Sequence, residues 1–233
     1  MDSQALRRRF AALTTAHLAD ACVRAKVPVR CVELSAVLPG SRLAGRVLPA
    51  RHAGSVDVFL EAFTLGEPGD VLVVDNGGRV DESCVGDLVV LEAKAAGLAG
   101  LVVWGLHRDT ADCRAIGLPL FSLGAIPNGP LRLDPRPAEA LGSARVGDWT
   151  VSRADVVLAD EDGVIFLPAG EAEALFGLAE TIRDTERRQA AQIRAGYALR
   201  SQLHFDAYLA ERDRNPGHSF RDHLRAIGGA VEE

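Results

Sequence analysis

Two short clusters near the middle of the chain carry residue types able to bind a small acid. The first is Gly86-Asp87-Leu88-Val89; the second is Arg108-Asp109, with Asp112 just beyond. A helix that opens at a glycine presents unpaired N–H groups and the positive end of its dipole, which favour a carboxylate or phosphate. Gly86 also lets a ligand approach the backbone closely. Arginine can hold a carboxylate through two parallel hydrogen bonds. A neighbouring aspartate can bind a hard cation, and Mg²⁺ takes only one or two protein carboxylates, so Asp109 with Asp112 nearby is sufficient. On residue types alone, a strand-end ion pair closing a turn explains Arg108-Asp109 equally well.

For these groups to meet, the chain between them must go out and come back. Val71 to Asp75 reads as a buried strand between the turn residues Pro68-Gly69-Asp70 and Asn76-Gly77-Gly78. A helix follows from Gly86, with Leu88, Leu91 and Ala95 as its expected apolar face and Gly97 as its end; Leu101 to Trp104 is the next buried strand. Strand, helix and strand make a βαβ unit with parallel strands and a right-handed crossover. Arg108 lies 22 residues after Gly86, which returns the chain to the edge where the helix began. A short helix from Thr110 to Ile116, closed by Gly117, and a third strand from Leu118 to Leu123 continue the alternation.

Upstream, Ser3 to about Ala25 is predicted helical, with Thr14 or Thr15 capping a second segment that carries Leu18, Ala21 and Cys22 on one face. His17 and Asp20 on that segment read as a surface or subunit-contact pair. Short alternating strands are expected between Val32 and His52, turned at Pro39-Gly40, with Gly45 marking a bulge or a close backbone approach. A helix from Ser55 to Leu65 stops at Gly66. Downstream, β character returns in RVGDWTVSRADVVLADEDGVIFLP with a hairpin at Asp160-Glu161-Asp162-Gly163. A long helix to about Ala195 then carries Leu175, Leu178 and Ile182 on one side. The expected division is a catalytic domain over residues 1–195 and a helical extension over 196–233, broken at Asn215-Pro216-Gly217. Leu203, Phe205, Tyr208 and Leu209 of the extension need cover, so docking on a neighbouring subunit is expected.

The chain of 233 residues is 48% hydrophobic and 25% charged, an ordinary balance for a soluble globular protein. A formal net charge of −6 argues against a broad nucleic-acid surface. Cys22, Cys31, Cys84 and Cys113 form no CxxC pair and no zinc spacing, which favours reduced cytoplasmic thiols. MDSQALRRRF lacks the apolar stretch of a signal peptide, and no run approaches the length of a membrane span.

GDLVVLEAKAAGLAGLVVWGLHRDTAD resembles the signature of the RraA-like family, which includes class II 4-hydroxy-4-methyl-2-oxoglutarate / 4-carboxy-4-hydroxy-2-oxoadipate aldolases. PGDVLVVDNGG, LFSLGAIP and DEDGVIFLP support the resemblance, which covers roughly residues 10–195. It implies a compact α/β/β fold of the swivelling-domain type, assembled as homotrimers or hexamers with sites between subunits. By the same resemblance, the Gly86, Asp87, Leu88 and Val89 backbone binds the carboxylate of a 2-oxo acid and Arg108 contacts its carbonyl region. Asp109 would ligate Mg²⁺ or Mn²⁺, with Asp112 reaching the metal through water. Such a metal polarises the 2-oxo group and stabilises the enolate formed when the C3–C4 bond breaks, and oxaloacetate decarboxylation gives the same enolate. Arg108 adds positive charge where the enolate oxygen develops. The base that takes the C4 hydroxyl proton is left open between a water on the metal, Asp87, and a carboxylate such as Glu186 of an adjacent subunit. The family also contains ribonuclease inhibitors, in which the aspartate after the arginine is typically missing, so the Arg108-Asp109 pair favours the enzyme. A methyltransferase reading is disfavoured because Asp75-Asn76-Gly77-Gly78 is too thin for a cofactor loop. His107, His52 and Trp104 are expected as pocket-wall, supporting or core residues.

Overall fold

The computed structural model of the protein describes residues 1–228. The chain opens with α1 (Ser3–Phe10) and α2 (Thr15–Ala25), then β1 (Arg30–Val32), β2 (Ser35–Ala36), β3 (Leu43–Arg51) and α3 (Asp57–Leu65). The central unit is β4 (Val71–Asp75), β5 (Ser83–Val85), α4 (Asp87–Ala95), β6 (Gly100–His107), α5 (Thr110–Ile116) and β7 (Leu120–Ala125). The hairpins β8 (Ala144–Val146) with β9 (Trp149–Val151), and β10 (Asp155–Asp160) with β11 (Gly163–Pro168), follow. The helices α6 (Ala172–Arg194), α7 (Leu199–Gln202), α8 (Phe205–Arg214) and α9 (Phe220–Ile227) complete the described chain.

β3 joins two kinds of sheet. Its first half, Leu43 to Arg46, pairs antiparallel with β10, and its second half, Val47 to Arg51, pairs parallel with β4. The strand order is β1-β11-β10-β3-β4-β6-β7-β2, with β5 pairing β6 off this path. Alternate residues of the parallel strands face different cores: Leu72, Val74, Leu101 and Val103 pack in the cluster that includes α3 and α4 residues, whereas Val71, Val73 and Val102 pack with Val157, Ala159 and Phe166 from the antiparallel arm. A third cluster joins α1, α2 and α6 to the outer face of the antiparallel arm. The expected α/β/β arrangement with a helical C-terminal extension is the one observed.

Several local expectations hold. β4 and α5 have the predicted bounds. Thr14 caps α2 in a reciprocal arrangement with His17. Gly45 makes a close approach, since a Cβ there would collide with the carbonyl oxygen of Gly69. Others need correction. β3 is a single nine-residue strand buried along most of its length, because core covers both of its faces: Leu43 and Val47 pack in one cluster, Leu48 and Ala50 in another, and Ala44 in a third. β6 runs on to His107, and β7 begins at Leu120. The buried face of α4 is Val90 and Ala93, while Leu88, Leu91 and Ala95 look outward. His17 pairs with Glu186 of α6 at 3.0 Å.

In the extension, Leu203 is buried and Phe205, Tyr208, Phe220 and His223 pack on one another. His223 Nε2 donates to the Leu203 carbonyl at 2.8 Å, and Gln202 Nε2 donates to the Gln189 carbonyl of α6 at 3.2 Å. The tail thus supplies part of its own cover; the expectations placed on 229–233 lie outside the described residues.

Candidate functional site

The site forms where β5 and β6 end side by side. Val85 is in register with His107, and the Arg108 N–H donates to the Val85 carbonyl at 2.9 Å. Beyond this point the two chains diverge into α4 and α5. Gly86 is the N-cap of α4 with extended backbone, so conformation alone does not demand glycine there. Space does. A Cβ on Gly86 would stand 2.5 Å from Asp109 Oδ2 and 3.3 Å from both Cγ and Nε of Arg108. No side chain caps this helix, so its first-turn amides retain the capacity to bind an anion.

Asp109 is the N-cap of α5 in the left-handed region, at φ 57° and ψ 42°. An N-cap aspartate ordinarily accepts an amide of its own helix, yet this side chain makes no capping bond. It instead lies 3.3 Å from Arg108 Nε. Both side chains remain partly exposed, and with Gly86, Asp87, Leu88 and Val89 the Arg108 side chain lines a cleft of about 410 Å³. The loop after β7 passes over the guanidinium: a Cβ on Gly129 would meet Arg108 NH1 at 2.9 Å. Asp112 sits exposed in the first turn of α5. The Cys113 thiol records the surrounding charge. Burial pushes it up to about 11, and Asp109, Asp87 and Asp112 all push the same way. The negative charge of this edge is thus felt at a buried thiol on α5.

Gly86, Asp87, Leu88, Val89, Arg108 and Asp109 are thus gathered at one edge, while Asp112 lies in the first turn of α5, outside the lining of the cleft. His107, His52 and Trp104 take other places. His107 is buried, its ring bonded to Ser122 Oγ at 2.8 Å and Thr110 Oγ1 at 3.0 Å, and burial holds its pKa below the usual value. It braces β6 against β7 and the start of α5. Trp104 covers Gly78 and packs against the core between the sheets. His52 is buried, stacked on Phe59 and bonded to Asn76 Oδ1 at 2.9 Å.

That last contact belongs to a buried network that sequence reasoning missed. Glu82, fully buried, accepts from Arg132 Nε at 3.1 Å and from the Leu131 N–H at 3.0 Å, and lies 3.3 Å from Arg79 Nε. Arg132 also reaches Asn76 Oδ1 at 3.1 Å and pairs with Asp134. Glu82 thereby fixes the loop carrying Gly129 and Pro130, which closes over Arg108.

Among the described residues no group of three or more His, Cys, Asp or Glu side chains is arranged to enclose a metal. Zinc-type closed coordination is therefore a poor fit. Asp109, partly exposed beside Arg108, with Asp112 a turn away, suits a hard ion that keeps most of its waters, as Mg²⁺ and Mn²⁺ do.

The fold and this edge define an α/β protein with an uncapped helix start set against an arginine–aspartate pair at the ends of parallel strands. The RraA-like family (Aldolase/RraA) matches residues 15–166, and the chain belongs to that family. A Halalkalibacterium halodurans relative named "Putative 4-hydroxy-4-methyl-2-oxoglutarate aldolase" is 30% identical over 149 residues, covering 62% of this chain and 68% of its own. Two solved structures share the fold. An uncharacterized Pseudomonas syringae protein superposes with a TM-score of 0.72 at 24% identity, over 84% of this chain and 95% of its own. Streptomyces coelicolor RraAS2, described as an unusual member of the RNase ES inhibitor RraA protein family, has a TM-score of 0.68 at 24% identity, over 77% and 92%. No helix among the described residues is long and apolar enough to cross a membrane.

Proposed function

We propose that the protein is a divalent-metal-dependent lyase that cleaves a C–C bond of a 2-oxo acid. Its reaction is retro-aldol cleavage of a 4-hydroxy-2-oxo acid to pyruvate, decarboxylation of oxaloacetate, or both. Membership of the Aldolase/RraA family supports the lyase class. The observation that carries the reading is the crowding of Gly86, Arg108 and Asp109. Uncapped helix amides, a guanidinium and the carboxylate paired with it lie within one small ligand's reach.

In this reading the first-turn amides of α4 hold the substrate's C1 carboxylate. Arg108 places positive charge beside the 2-oxo oxygen, where negative charge grows as the bond breaks. Asp109, assisted by Asp112, would hold Mg²⁺ or Mn²⁺, which when bound would polarise the 2-oxo group. During retro-aldol cleavage the C3–C4 electron pair moves towards C3, the C4 hydroxyl gives up its proton, and C4 becomes a carbonyl. Asp87 lines the cleft and is this chain's own base for that proton. In oxaloacetate the same electron pair is left behind by departing CO₂. A homotrimer or hexamer with sites between subunits is part of the proposal.

A lactate-dehydrogenase-coupled pyruvate assay over a panel of 2-oxo acids tests this directly. Pyruvate release should stop with EDTA and return with Mg²⁺ or Mn²⁺. Release that is indifferent to EDTA sinks the metal assignment. The likeness to RraAS2 favours a second reading, a regulatory binding protein without chemistry; it predicts no pyruvate from any substrate and no heat from Mg²⁺ plus pyruvate in calorimetry.

A further inference from the structure

The cleft in front of Gly86 is strongly asymmetric. One end holds the α4 amides and Arg108. The rest is walled by Val56 and Leu60 from the start of α3, Leu88 and Leu91 from α4, and Cys84 and Pro130. These side chains are not core residues that happen to reach a cavity: Leu60 is 50%, Leu88 74% and Leu91 52% exposed. Two helices therefore hold bulky apolar groups outward towards the same space, where ordinary surface chemistry would place polar ones.

Charge points the same way. Arg108 is the one cation lining the cleft among the described residues, and the other ionised side chains on its wall are Asp87 and Glu92. With Arg108 and the helix amides engaged by the 2-oxo acid head, a second carboxylate further along the substrate would face acidic groups and hydrocarbon, with no cation from this chain's described lining to pair with. Asp87 and Glu92 repel such a charge, and the hydrocarbon wall offers it no hydrogen bond. A volume of about 410 Å³ is more than a three-carbon acid fills, and it lies in the range typical of small-molecule pockets.

We propose that the substrate's distal end, beyond C4, is an uncharged hydrocarbon chain seated between α3 and α4 against Val56, Leu60, Leu88 and Leu91. This rests on the lyase reading and narrows it to monocarboxylic 4-hydroxy-2-oxo acids. They differ from the dicarboxylic glutarate in the name of the Halalkalibacterium relative. The retro-aldol products are then pyruvate and an aliphatic carbonyl compound: the C3–C4 bond breaks, its electron pair stays with the pyruvate half, and the C4 hydroxyl proton passes to the base. Each added methylene that reaches the wall should strengthen binding about fourfold.

Two arms on the full chain test this, one for binding and one for turnover. In calorimetry with Mg²⁺, 2-oxohexanoate and 2-oxoadipate differ only in a terminal methyl or carboxylate. The monoacid should bind at least tenfold more tightly. In the coupled assay, 4-hydroxy-2-oxoheptanoate should release pyruvate with a higher kcat/KM than 4-hydroxy-2-oxoglutarate. Leu91→Lys, at an exposed helical position, should narrow or invert both preferences by supplying a cation. Equal or tighter diacid binding overturns the hydrocarbon assignment while pyruvate release leaves the lyase reading standing. Pyruvate release from none of the substrates removes the lyase reading, and the calorimetric pair still decides what the wall prefers. If Leu91→Lys changes the sedimentation of the protein but neither preference, the wall is a contact between copies of this chain and the proposal fails.

Discussion

Asp109 Oδ2 occupies the place where a side chain at Gly86 would begin, 2.5 Å from where a Cβ would stand. Because Gly86 is in an extended conformation, alanine there meets no backbone penalty and acts through space alone. Gly86→Ala should therefore push the Asp109 carboxylate off its position and obstruct the α4 amides. We expect kcat/KM to fall by about 100-fold, the scale of a displacement of about 1 Å, with little change in thermal midpoint. Full activity in this variant would separate the glycine from the site.

The Asp109 backbone decides which substitution gives a clean test. At φ 57°, asparagine is tolerated, whereas alanine adds about 1–2 kcal/mol of backbone strain. Asp109→Asn should keep the fold and lose most of the Mg²⁺ or Mn²⁺ response, read by calorimetry and by the metal dependence of pyruvate release. Arg108→Lys keeps the charge but loses the planar fork, so kcat should drop by about 100-fold or more. Metal affinity unchanged in Asp109→Asn would count against the ligand assignment.

Much of this edge was legible because it is local. Gly86, Arg108 and Asp109 sit either side of one helix and one strand, and periodicity plus turn residues was enough to bring them together. The outward leucines of α4 were misread for a physical reason: helical periodicity equates apolar with buried, and Leu88 and Leu91 instead line an open cleft. The Glu82–Arg132 contact spans 50 residues and was out of reach, since no spacing rule joins two loops. The long β3 strand was obscured because packed core covers both of its faces and erases the alternation that marks an exposed one.

Glu82 should matter to stability and catalysis alike. Its carboxylate is fully buried and holds Arg132 and the Leu131 amide, so removing it takes a charged partner from the half-buried Arg132 and leaves the Leu131 amide unpaired. Glu82→Ala should cost about 1–3 kcal/mol, seen as a lower urea midpoint. Glu82→Gln keeps the shape and should cost less. In that variant, hydrogen exchange should quicken across 126–134 and KM should rise as the loop over Arg108 loosens. A destabilised variant with unchanged exchange in that loop would confine Glu82 to a packing role.

His52 should make the protein lose stability in mild acid. Arg132 and His52 both direct N–H groups at Asn76 Oδ1, so the neutral imidazole carries its proton on Nδ1. Its Nε2 is buried without a partner. Burial holds the His52 pKa below the usual value, with the Asn76 bond opposing more weakly. An unfolded histidine takes up a proton near pH ~6.5, while the folded one resists until lower pH. The unfolded state therefore binds more protons in that window, and stability falls as pH drops below about 6.5. The slope contributed by one such group approaches about 1.4 kcal/mol per pH unit. His107, also depressed by burial, adds to the same slope. Urea midpoints measured from pH 8 down to 5 should decline below pH 6.5 in the native protein. His52→Gln should flatten that decline by up to one proton while leaving the His107 share; an unchanged slope would mean that His52 titrates alike in both states.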